Sequence, residues 1–261
     1  MASDGAIGSA EGIELQHRAL GEFIRLLGRS SEGAQVIERE GVIASVVPQV
    51  PDRSVLNSVT YRDGRTLAAV LDDLAAAYDE AGVVAWTVWT PESDANAIAA
   101  LETAGHSLDA APTAMFLDLA HPPEPDPDDE LDWDGDATPE EVGRLNNEAY
   151  GYGERGGFAA ALASPPEDIP LRLYRARVDG ELASVTGTID AGSDCGVYFV
   201  ATRKGYRGHR LAGRLMQRAL LEARDRGLET STLQSTKMGR SAYERLGYSA
   251  PFTIEMWERR K

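Results

Sequence analysis

The sequence predicts a mixed α/β (α+β) fold, in which helices flank a mixed β-sheet. Short apolar runs of strand length alternate with longer segments whose apolar residues recur at helical spacing. The composition, 43% hydrophobic and 26% charged, is typical of a globular chain that buries a core. No apolar run approaches the ~20 residues that a membrane-spanning helix needs. We therefore expect packed layers of helix and sheet.

An acidic, proline-rich segment divides the chain. Residues 121–136 contain four prolines, eight carboxylates and no lysine or arginine, so we expect this segment to be extended. It predicts an amino-terminal domain of residues 1–120, a linker of residues 121–136 and a carboxy-terminal domain of residues 137–261. The end of the linker, residues 131–134, is a candidate first strand of the second domain.

Helix and strand signals alternate in the carboxy-terminal half. Thr138, Pro139 and Glu141 supply an N-cap, a first-turn proline and a capping box, so they predict a helix that runs to about Tyr150. The other predicted elements are a short helix at 158–163, strands at 171–178, 182–189 and 196–201, a helix at 210–226, a strand at 230–234, a short helix at 239–246 and a strand at 252–257.

The amino-terminal half repeats much of this order. Its predicted elements are a helix at 15–27, strands at 42–47 and 55–60, a helix at 66–81, a strand at 83–89, a helix at 95–104 and a strand at 114–119. The segments around Gly105 and Gly247 are similar, since in each a glycine ends a helix and an apolar strand follows. This similarity indicates either an internal duplication or a coincidence, since the order helix, glycine, strand is common.

A strand, a short basic loop and a helix follow one another between residues 197 and 226. A helix N-terminus carries unpaired amide groups and partial positive charge, and therefore binds phosphate. Gly208 would let the backbone come close to a phosphate, and Arg207 and Arg210 add charge. Gly213 is expected to allow close packing of the helix on the sheet. The loop contains neither the P-loop pattern nor the dinucleotide pattern G-x-G-x-x-G.

This loop resembles the pyrophosphate loop of the GNAT acetyltransferase superfamily, Q/R-x-x-G-x-G/A. Arg207 and Ala212 match its first and last positions, Gly208 matches the common form R-G-x-G-x-G/A, and Arg210 replaces the middle glycine. The resemblance implies a GNAT-like fold with acetyl-CoA as co-substrate, whose pantetheine arm pairs with the preceding strand. The cofactor-binding residues that it implies are Phe199, Val200, Ala201, Thr202, Arg207, Gly208, His209, Arg210, Leu211, Ala212, Gly213 and Ser241.

A second match to the same superfamily lies downstream, where Tyr243 precedes Leu246 and Gly247. The family tyrosine at this position lies beside the CoA sulfur and protonates the departing thiolate. Taken alone, a tyrosine here is most simply a half-buried helix residue. Together with the loop, it indicates that Tyr243 is the catalytic acid.

The first half lacks both features. Asp63 follows its strand and would repel a phosphate, and Leu101 occupies the place that corresponds to Tyr243. The chain therefore resembles the tandem GNAT proteins, with a degenerate amino-terminal repeat that forms one wall of the substrate cleft.

The reaction also needs a base, because an amine must lose a proton before it attacks. The candidate bases are Glu148, Glu154, Asp194 and Tyr198. Tyr150 and Tyr152 lie beside several glycines and are candidates for the acceptor pocket. The histidines are scattered without metal-ligand spacing, so no metal site is predicted.

Charge and cysteine content narrow the partners. The net charge of −16 argues against nucleic acid, and the sequence predicts no membrane segment. The one cysteine, Cys195, fits a reducing cytoplasm, and the amino terminus does not resemble a signal peptide. The acidic surface fits a cationic small-molecule acceptor. The sequence leaves a monomer and a homodimer equally open.

Two other functions compete with acetyl transfer to a primary amine. One is a non-catalytic acyl-CoA-binding or regulatory module, against which Tyr243 argues, since a binder needs no thiolate acid. The other is a scaffold of two α/β domains, which would bind no CoA.

Overall fold

The computed structural model describes residues 9–152 and 157–261. Its helices are α1 (Ser9–Leu27), α2 (Gly64–Glu80), α3 (Ala95–Thr103), α4 (Pro139–Ala149), α5 (Phe158–Ala161), α6 (Leu211–Asp225) and α7 (Arg240–Arg245). Its strands are β1 (Gln35–Arg39), β2 (Val42–Val46), β3 (Ser58–Tyr61), β4 (Ala85–Pro91), β5 (Ser107–Ala110), β6 (Thr113–Asp118), β7 (Asp132–Asp134), β8 (Leu171–Val178), β9 (Glu181–Ala191), β10 (Asp194–Thr202), β11 (Thr230–Ser235) and β12 (Ser249–Arg260).

All twelve strands form one mixed sheet with helices on its faces, which confirms the predicted fold class. The strand order is β1-β2-β3-β4-β12-β6-β11-β10-β9-β8-β7, and β5 also pairs with β12. Each half of the chain contributes one parallel pair, β3 with β4 and β10 with β11. The two halves therefore share the same local arrangement, as a duplication predicts.

The last strand of each half crosses into the sheet of the other half. β6 pairs with β11 of the carboxy-terminal half, and β12 pairs with β4 of the amino-terminal half. Neither half has a complete sheet without the other. The predicted domain boundaries stay a prediction, whereas the continuous sheet shows that the halves are joined through exchanged strands.

Apolar side chains cover both faces of the sheet. On one face α1, α4 and α5 pack with Phe23, Phe158 and Met256 in the core. On the other face of the carboxy-terminal half, α6 and α7 enclose a core that includes Met216 and Leu233. This division defines an α1 side and an α6 side of the sheet.

Most predicted elements are found close to their expected bounds. The hairpin between β8 and β9 turns at Asp179 and Gly180, which have φ angles of 52° and 80°. The capping box of α4 is present. The strand predicted at 55–60 is wrong in its first part, because Ser54–Leu56 form a 3-10 turn. Strands β1 and β5 were not predicted, since both are largely polar.

The acidic linker is not a free spacer. Between β6 and β7 it contains neither helix nor strand, as predicted, but it is anchored to α6. The carboxylate of Asp129 is only 5% exposed and forms ion pairs with Arg214 and Arg218 of α6. Gln217 also donates a hydrogen bond of 3.0 Å to the carbonyl of Glu124. These arginines neutralise charge that would otherwise keep the linker in solvent.

Candidate active site

The parallel strands β10 and β11 separate partway along their length. They pair only from Asp194 to Gly196 on β10. Beyond that point β10 bulges, because its register with β9 shifts between Tyr198 and Ala201, and Phe199 adopts a φ of 56°. The bulge leaves Phe199 and Val200 outside the β9–β10 pairing. A gap therefore opens between the two strands at the predicted cofactor-binding residues.

A buried asparagine holds this bulge. The side chain of Asn146 donates hydrogen bonds of 2.9 Å to the carbonyl of Val142 and 3.1 Å to the carbonyl of Phe199. Asn146 is only 1% exposed, so both bonds lie in a low-dielectric interior. Sequence reasoning missed Asn146, because one asparagine in a helix carries no signal of its contact with a distant strand.

A cavity of about 820 Å³ occupies the gap. Val197–Val200 and Leu233–Gln234 form its sides. Residues from the α6 side of the sheet, such as Tyr243, and from the α1 side, such as Phe23 and Trp89, also line it. Because both faces contribute, the cavity passes through the sheet between β10 and β11.

The N-terminus of α6 is open. No side chain caps it, and Arg210 occupies the N-cap position with a φ of 56°. Gly208 has a φ of 89°, which favours glycine, and a Cβ atom placed there would meet nothing within 4 Å. A Cβ atom placed at Gly213 would also meet nothing within 4 Å, so the expected role of Gly213 in close helix–sheet packing is wrong. Its missing side chain instead leaves the first turn of α6 accessible, which fits a bound diphosphate.

Arg207 is engaged with the protein backbone rather than directed to an open site. Its guanidinium donates to the carbonyls of Thr202, at 3.2 Å, and Ala149, at 2.7 Å. These bonds join the loop to β10 and to the end of α4. The expectation that Arg207 adds charge for a phosphate stays a prediction, and in the structure its guanidinium also fixes the position of the loop. His209 and Arg210 are exposed beside the helix N-terminus.

Tyr243 lies on α7 at the wall of the cavity. Its ring packs over Gly239, where a Cβ atom would come within 2.9 Å of it, and meets Tyr248 edge-on at 6.2 Å between centroids. Burial, with a further contribution from Tyr150, raises the pKa of the Tyr243 phenol above its usual range. Among residues 9–152 and 157–261 no hydrogen bond engages its hydroxyl. Ser241 is exposed and does not line the cavity.

Aromatic residues of the α4–α5 region reach the cavity, among them Tyr150 and Tyr152, whose place in an acceptor pocket stays a prediction. The hydroxyl of Tyr150 donates to the carbonyl of Val200 at 3.3 Å. The ring of Tyr152 stacks against that of Tyr150, and the guanidinium of Arg53 lies 4.5 Å from the centroid of Tyr152. This cluster joins the amino-terminal half to the bulge of β10.

One of the candidate bases, Tyr198, lines the cavity, and burial raises its pKa well above the usual value. A phenol with a raised pKa stays protonated at neutral pH and is a poor base. Glu148 pairs with Arg203 at 3.4 Å. Asp194 accepts hydrogen bonds from Thr230 and Thr232 where β10 and β11 are still paired, and burial raises its pKa to about 6. Glu154 lies outside the described residues.

Charged residues near the amino-terminal half form the other end of the cavity, and sequence reasoning missed them. They are Asp52, Arg53, Asp109, Glu258 and Arg260. The alternation of β12 offered a signal for the last two, since residues two apart on a strand share a face. For the first three, only the fold brings them to the site.

The corresponding helix end in the first half is closed. The side chain of Asp63 caps α2 and accepts hydrogen bonds from the amides of Arg65, at 2.9 Å, and Thr66, at 3.2 Å. These bonds lower the pKa of Asp63, so the position carries a negative charge at neutral pH. Leu101 is fully buried. In α2 a carboxylate therefore binds the N-terminal amides, whereas the equivalent amides of α6 have no side-chain cap.

Two further findings concern the described residues only. Their helices are too short or too polar to cross a membrane. Their histidine, cysteine, aspartate and glutamate side chains form no group of three or more that could hold a metal ion.

Comparison with known proteins agrees with this geometry. Residues 171–250 match the family model described as the acetyltransferase (GNAT) domain. No functionally curated protein matches the chain.

Several solved structures share the whole architecture. A GCN5-related N-acetyltransferase from Kribbella flavida is 16% identical, with a TM-score of 0.68 over 97% of this chain and 96% of that one. One from Sphaerobacter thermophilus is also 16% identical, with a TM-score of 0.57 over 97% and 94%. A tandem GNAT protein from the clavulanic acid biosynthesis pathway is 15% identical, with a TM-score of 0.57 over 98% and 96%. At these identities the likeness establishes the fold.

Residues 171–250 match the GNAT acetyltransferase domain, which confirms the predicted GNAT resemblance for this part of the chain. The likeness of the whole chain to the solved structures shows a GNAT-like fold whose length fits two GNAT-like units.

Proposed function

We propose that the protein is an acetyl-CoA-dependent N-acetyltransferase that acts on the primary amine of a small acceptor by direct attack in a ternary complex. One observation carries the proposal: β10 and β11 separate around a cavity that both Val200 and Tyr243 line. We further propose that the enzyme acts in the cytoplasm, as a monomer or homodimer, without nucleic acid.

The open helix end supplies the site for the donor. The amides of Leu211, Ala212 and Gly213 have no earlier helical turn to pair with, and the helix dipole favours an anion there. Gly208 and Arg210 complete this anion site. When bound, acetyl-CoA supplies an activated acyl group as a thioester.

The bulge of β10 and the phenol of Tyr243 have separate roles. The bulge presents backbone amides outside the β9–β10 pairing, which can donate to a carbonyl oxygen that gains negative charge. The raised pKa of Tyr243 keeps its hydroxyl protonated, so this hydroxyl can donate a proton. The acceptor amine approaches from the α1 side, where Phe158 and the rings of Tyr150 and Tyr152 line the cavity.

A non-catalytic acyl-CoA-binding module is the second candidate. It is favoured by the raised pKa of Tyr198, because this phenol of the cavity wall stays protonated at neutral pH and is a poor base. Both candidates require the same donor site, so binding of CoA does not distinguish them.

Two measurements test the proposal in sequence. Calorimetric titration with acetyl-CoA should show saturable binding, and a scaffold protein would show none. Release of free thiol should then be followed over a panel of primary amines. We expect amine-dependent thiol release. Tight acetyl-CoA binding without thiol release for any amine would support the binding module instead.

A further inference from the structure

Helix α1 belongs to the amino-terminal half, but it contacts both strands of the carboxy-terminal half where they separate. Its contacts come from residues three and seven positions apart, which share one face of a helix. Gln16 bonds β11, and the ring of Phe23 stacks on that of Tyr198 of β10, with 4.5 Å between centroids and 8° between planes. Between them, Ala19 packs over Gly196, where a Cβ atom would come within 3.4 Å of it. Helix α1 therefore joins β10 and β11 across the gap.

The side chain of Gln16 bonds a carbonyl that lies just beyond the paired part of these strands. The last pair of β10 and β11 is Gly196 with Thr232. The carbonyl of the next residue, Leu233, accepts a hydrogen bond of 3.3 Å from Nε2 of Gln16. Gln16 is only 1% exposed, and a buried carbonyl without a partner is unfavourable. Gln16 therefore supplies a hydrogen bond to β11 after β10 has turned away.

This contact fixes the orientation of a second amide, that of Gln234. A carbonyl can only accept, so the atom of Gln16 that faces Leu233 is its nitrogen. The oxygen of Gln16 then accepts a hydrogen bond of 2.6 Å from Nε2 of Gln234, which lines the cavity. With its nitrogen turned to Gln16, the amide of Gln234 keeps its oxygen as an acceptor. Burial raises the pKa of Tyr198, and a hydrogen bond with the side chain of Gln234 opposes this rise, so the two side chains are neighbours.

Resting on the proposed function, we infer that Gln16 is a positioning residue for acetyl transfer, which holds the amide oxygen of Gln234 where it accepts a hydrogen bond from an N–H of the acceptor amine. This hydrogen bond removes no proton from the amine. It directs the lone pair of the nitrogen toward the thioester carbonyl in the gap. Holding the reacting atoms in this arrangement lowers the barrier, because less freedom is lost in the reaction itself. Through α1, the amino-terminal half therefore contributes to the chemistry of the carboxy-terminal half.

The test breaks the contact between the two amides from each side. Gln16→Met keeps an unbranched side chain of similar length but loses both hydrogen bonds. We expect kcat for amine-dependent thiol release to fall roughly 5- to 10-fold. Acetyl-CoA affinity, measured by calorimetry, should stay within about 2-fold, because the N-terminus of α6 is unchanged. Gln234→Met should show the same loss of kcat, and the double variant should be within about 2-fold of the slower single variant, since all three lack the same contact.

The matched control loosens the same helix on its other side. His17, the next residue of α1, contacts the hydroxyl of Thr60 through Nδ1 at 3.2 Å. Thr60 is 2% exposed and does not line the cavity. Thr60→Val should lower the midpoint of urea unfolding, as Gln16→Met does, but should keep kcat within about 2-fold of the wild type. Equal losses of kcat in Thr60→Val and Gln16→Met would overturn the inference, as would wild-type kcat in a folded Gln16→Met or Gln234→Met protein.

Amide hydrogen exchange separates this inference from the proposed function, because it needs no turnover. Gln16→Met should speed exchange in residues 198–200 and 233–236, and Thr60→Val should not. If the wild type releases no thiol with any amine but shows this exchange pattern, the acetyltransferase proposal fails and the positioning of Gln234 by Gln16 stands. If amines are acetylated and Gln16→Met matches Thr60→Val in both rate and exchange, the positioning role is wrong and acetyl transfer stands.

Discussion

The side chain of Asn146 donates a hydrogen bond of 3.1 Å to the carbonyl of Phe199, the residue at which β10 bulges. Through this bond α4 holds the gap between β10 and β11 in its open form. Arg207 joins the same helix to the phosphate-binding loop through the carbonyl of Ala149. One helix therefore positions both the bulge and the loop, which are the two parts of the proposed donor site.

Removing the hydroxyl of Tyr243 should affect turnover and not donor binding. We expect Tyr243→Phe to bind acetyl-CoA as the wild type does and to release thiol at least ~10-fold more slowly, because a general acid typically contributes ~10²–10⁴-fold. Calorimetry and a thiol-release assay measure the two quantities. Tyr174→Phe is the matched control, since its hydroxyl bonds Glu222 away from the gap. An unchanged rate in Tyr243→Phe would exclude this phenol from the mechanism.

Arg207 and Arg210 should respond differently to the same change. Arg207→Lys loses the planar guanidinium that reaches two carbonyls at once, so we expect acetyl-CoA affinity to fall roughly 5- to 10-fold. Arg210→Lys keeps a positive charge at the exposed N-cap and should bind within about 2-fold of the wild type. Titration calorimetry on both variants tests this. Equal losses would show that the tether of Arg207 is not important for the site.

The ion pairs between Asp129 of the linker and the arginines of α6 should contribute to the stability of the fold. Asp129 is paired with two arginines, and the hydrogen bond from Arg214 lowers the pKa of its carboxyl. Asp129→Ala should lower the free energy of unfolding by about 1–3 kcal/mol, because it leaves both arginines without their partner. Asp128→Ala, at the exposed neighbouring position, should change it by less than about 0.5 kcal/mol. Urea unfolding at neutral pH compares the two variants, and equal losses in the free energy of unfolding would show that the ion pairs of Asp129 do not stabilise the fold.

A buried histidine should make stability depend on pH. Burial lowers the pKa of His106 from 6.5 to about 4. Its Nδ1 contacts the carbonyl of Leu101 at 3.3 Å, and its buried Nε2 has no partner among the described residues. The unfolded chain therefore binds a proton at higher pH than the folded one. The contribution of His106 to the free energy of unfolding is therefore complete above pH ~6.5 and is lost as pH falls toward ~4.

This effect can be isolated by comparison with His106→Gln. At pH 7 the wild type should be the more stable protein, and its advantage should shrink by about 2 kcal/mol between pH 6.5 and 4.5. The buried Asp194, whose pKa is raised, acts in the opposite direction but is common to both proteins and cancels. Urea unfolding at the two pH values measures the change. A constant difference would show that the pKa of His106 is the same in the folded and the unfolded chain.

Local patterns were sufficient to predict the elements of the carboxy-terminal half. The capping box at Thr138 and the hairpin turn at Asp179 depend on neighbouring residues alone, and both are present. The loop that ends at Arg210 was recognised for the same reason. Its helix does begin without a side-chain cap.

Features that depend on tertiary contacts were not predictable. The pairing of β12 with β5 joins segments that are far apart in the sequence, so the contribution of Asp109 to the cavity had no local signal. The role of Gly213 was misjudged, because sequence alone does not show whether a glycine faces a packed sheet or open space. The position of Asn146 against Phe199 likewise required the fold.

The most direct test of the donor site is a negative charge at the first turn of α6. Glutamate near a helix N-terminus favours the helix through its dipole, so Gly213→Glu should fold at least as stably as the wild type. In calorimetric titration it should bind acetyl-CoA more than ~10-fold more weakly, which is ~1.4 kcal/mol, whereas Ala76→Glu on α2 should bind normally. Wild-type affinity in a folded Gly213→Glu protein would show that the diphosphate binds elsewhere and would contradict the proposed donor site at the N-terminus of α6.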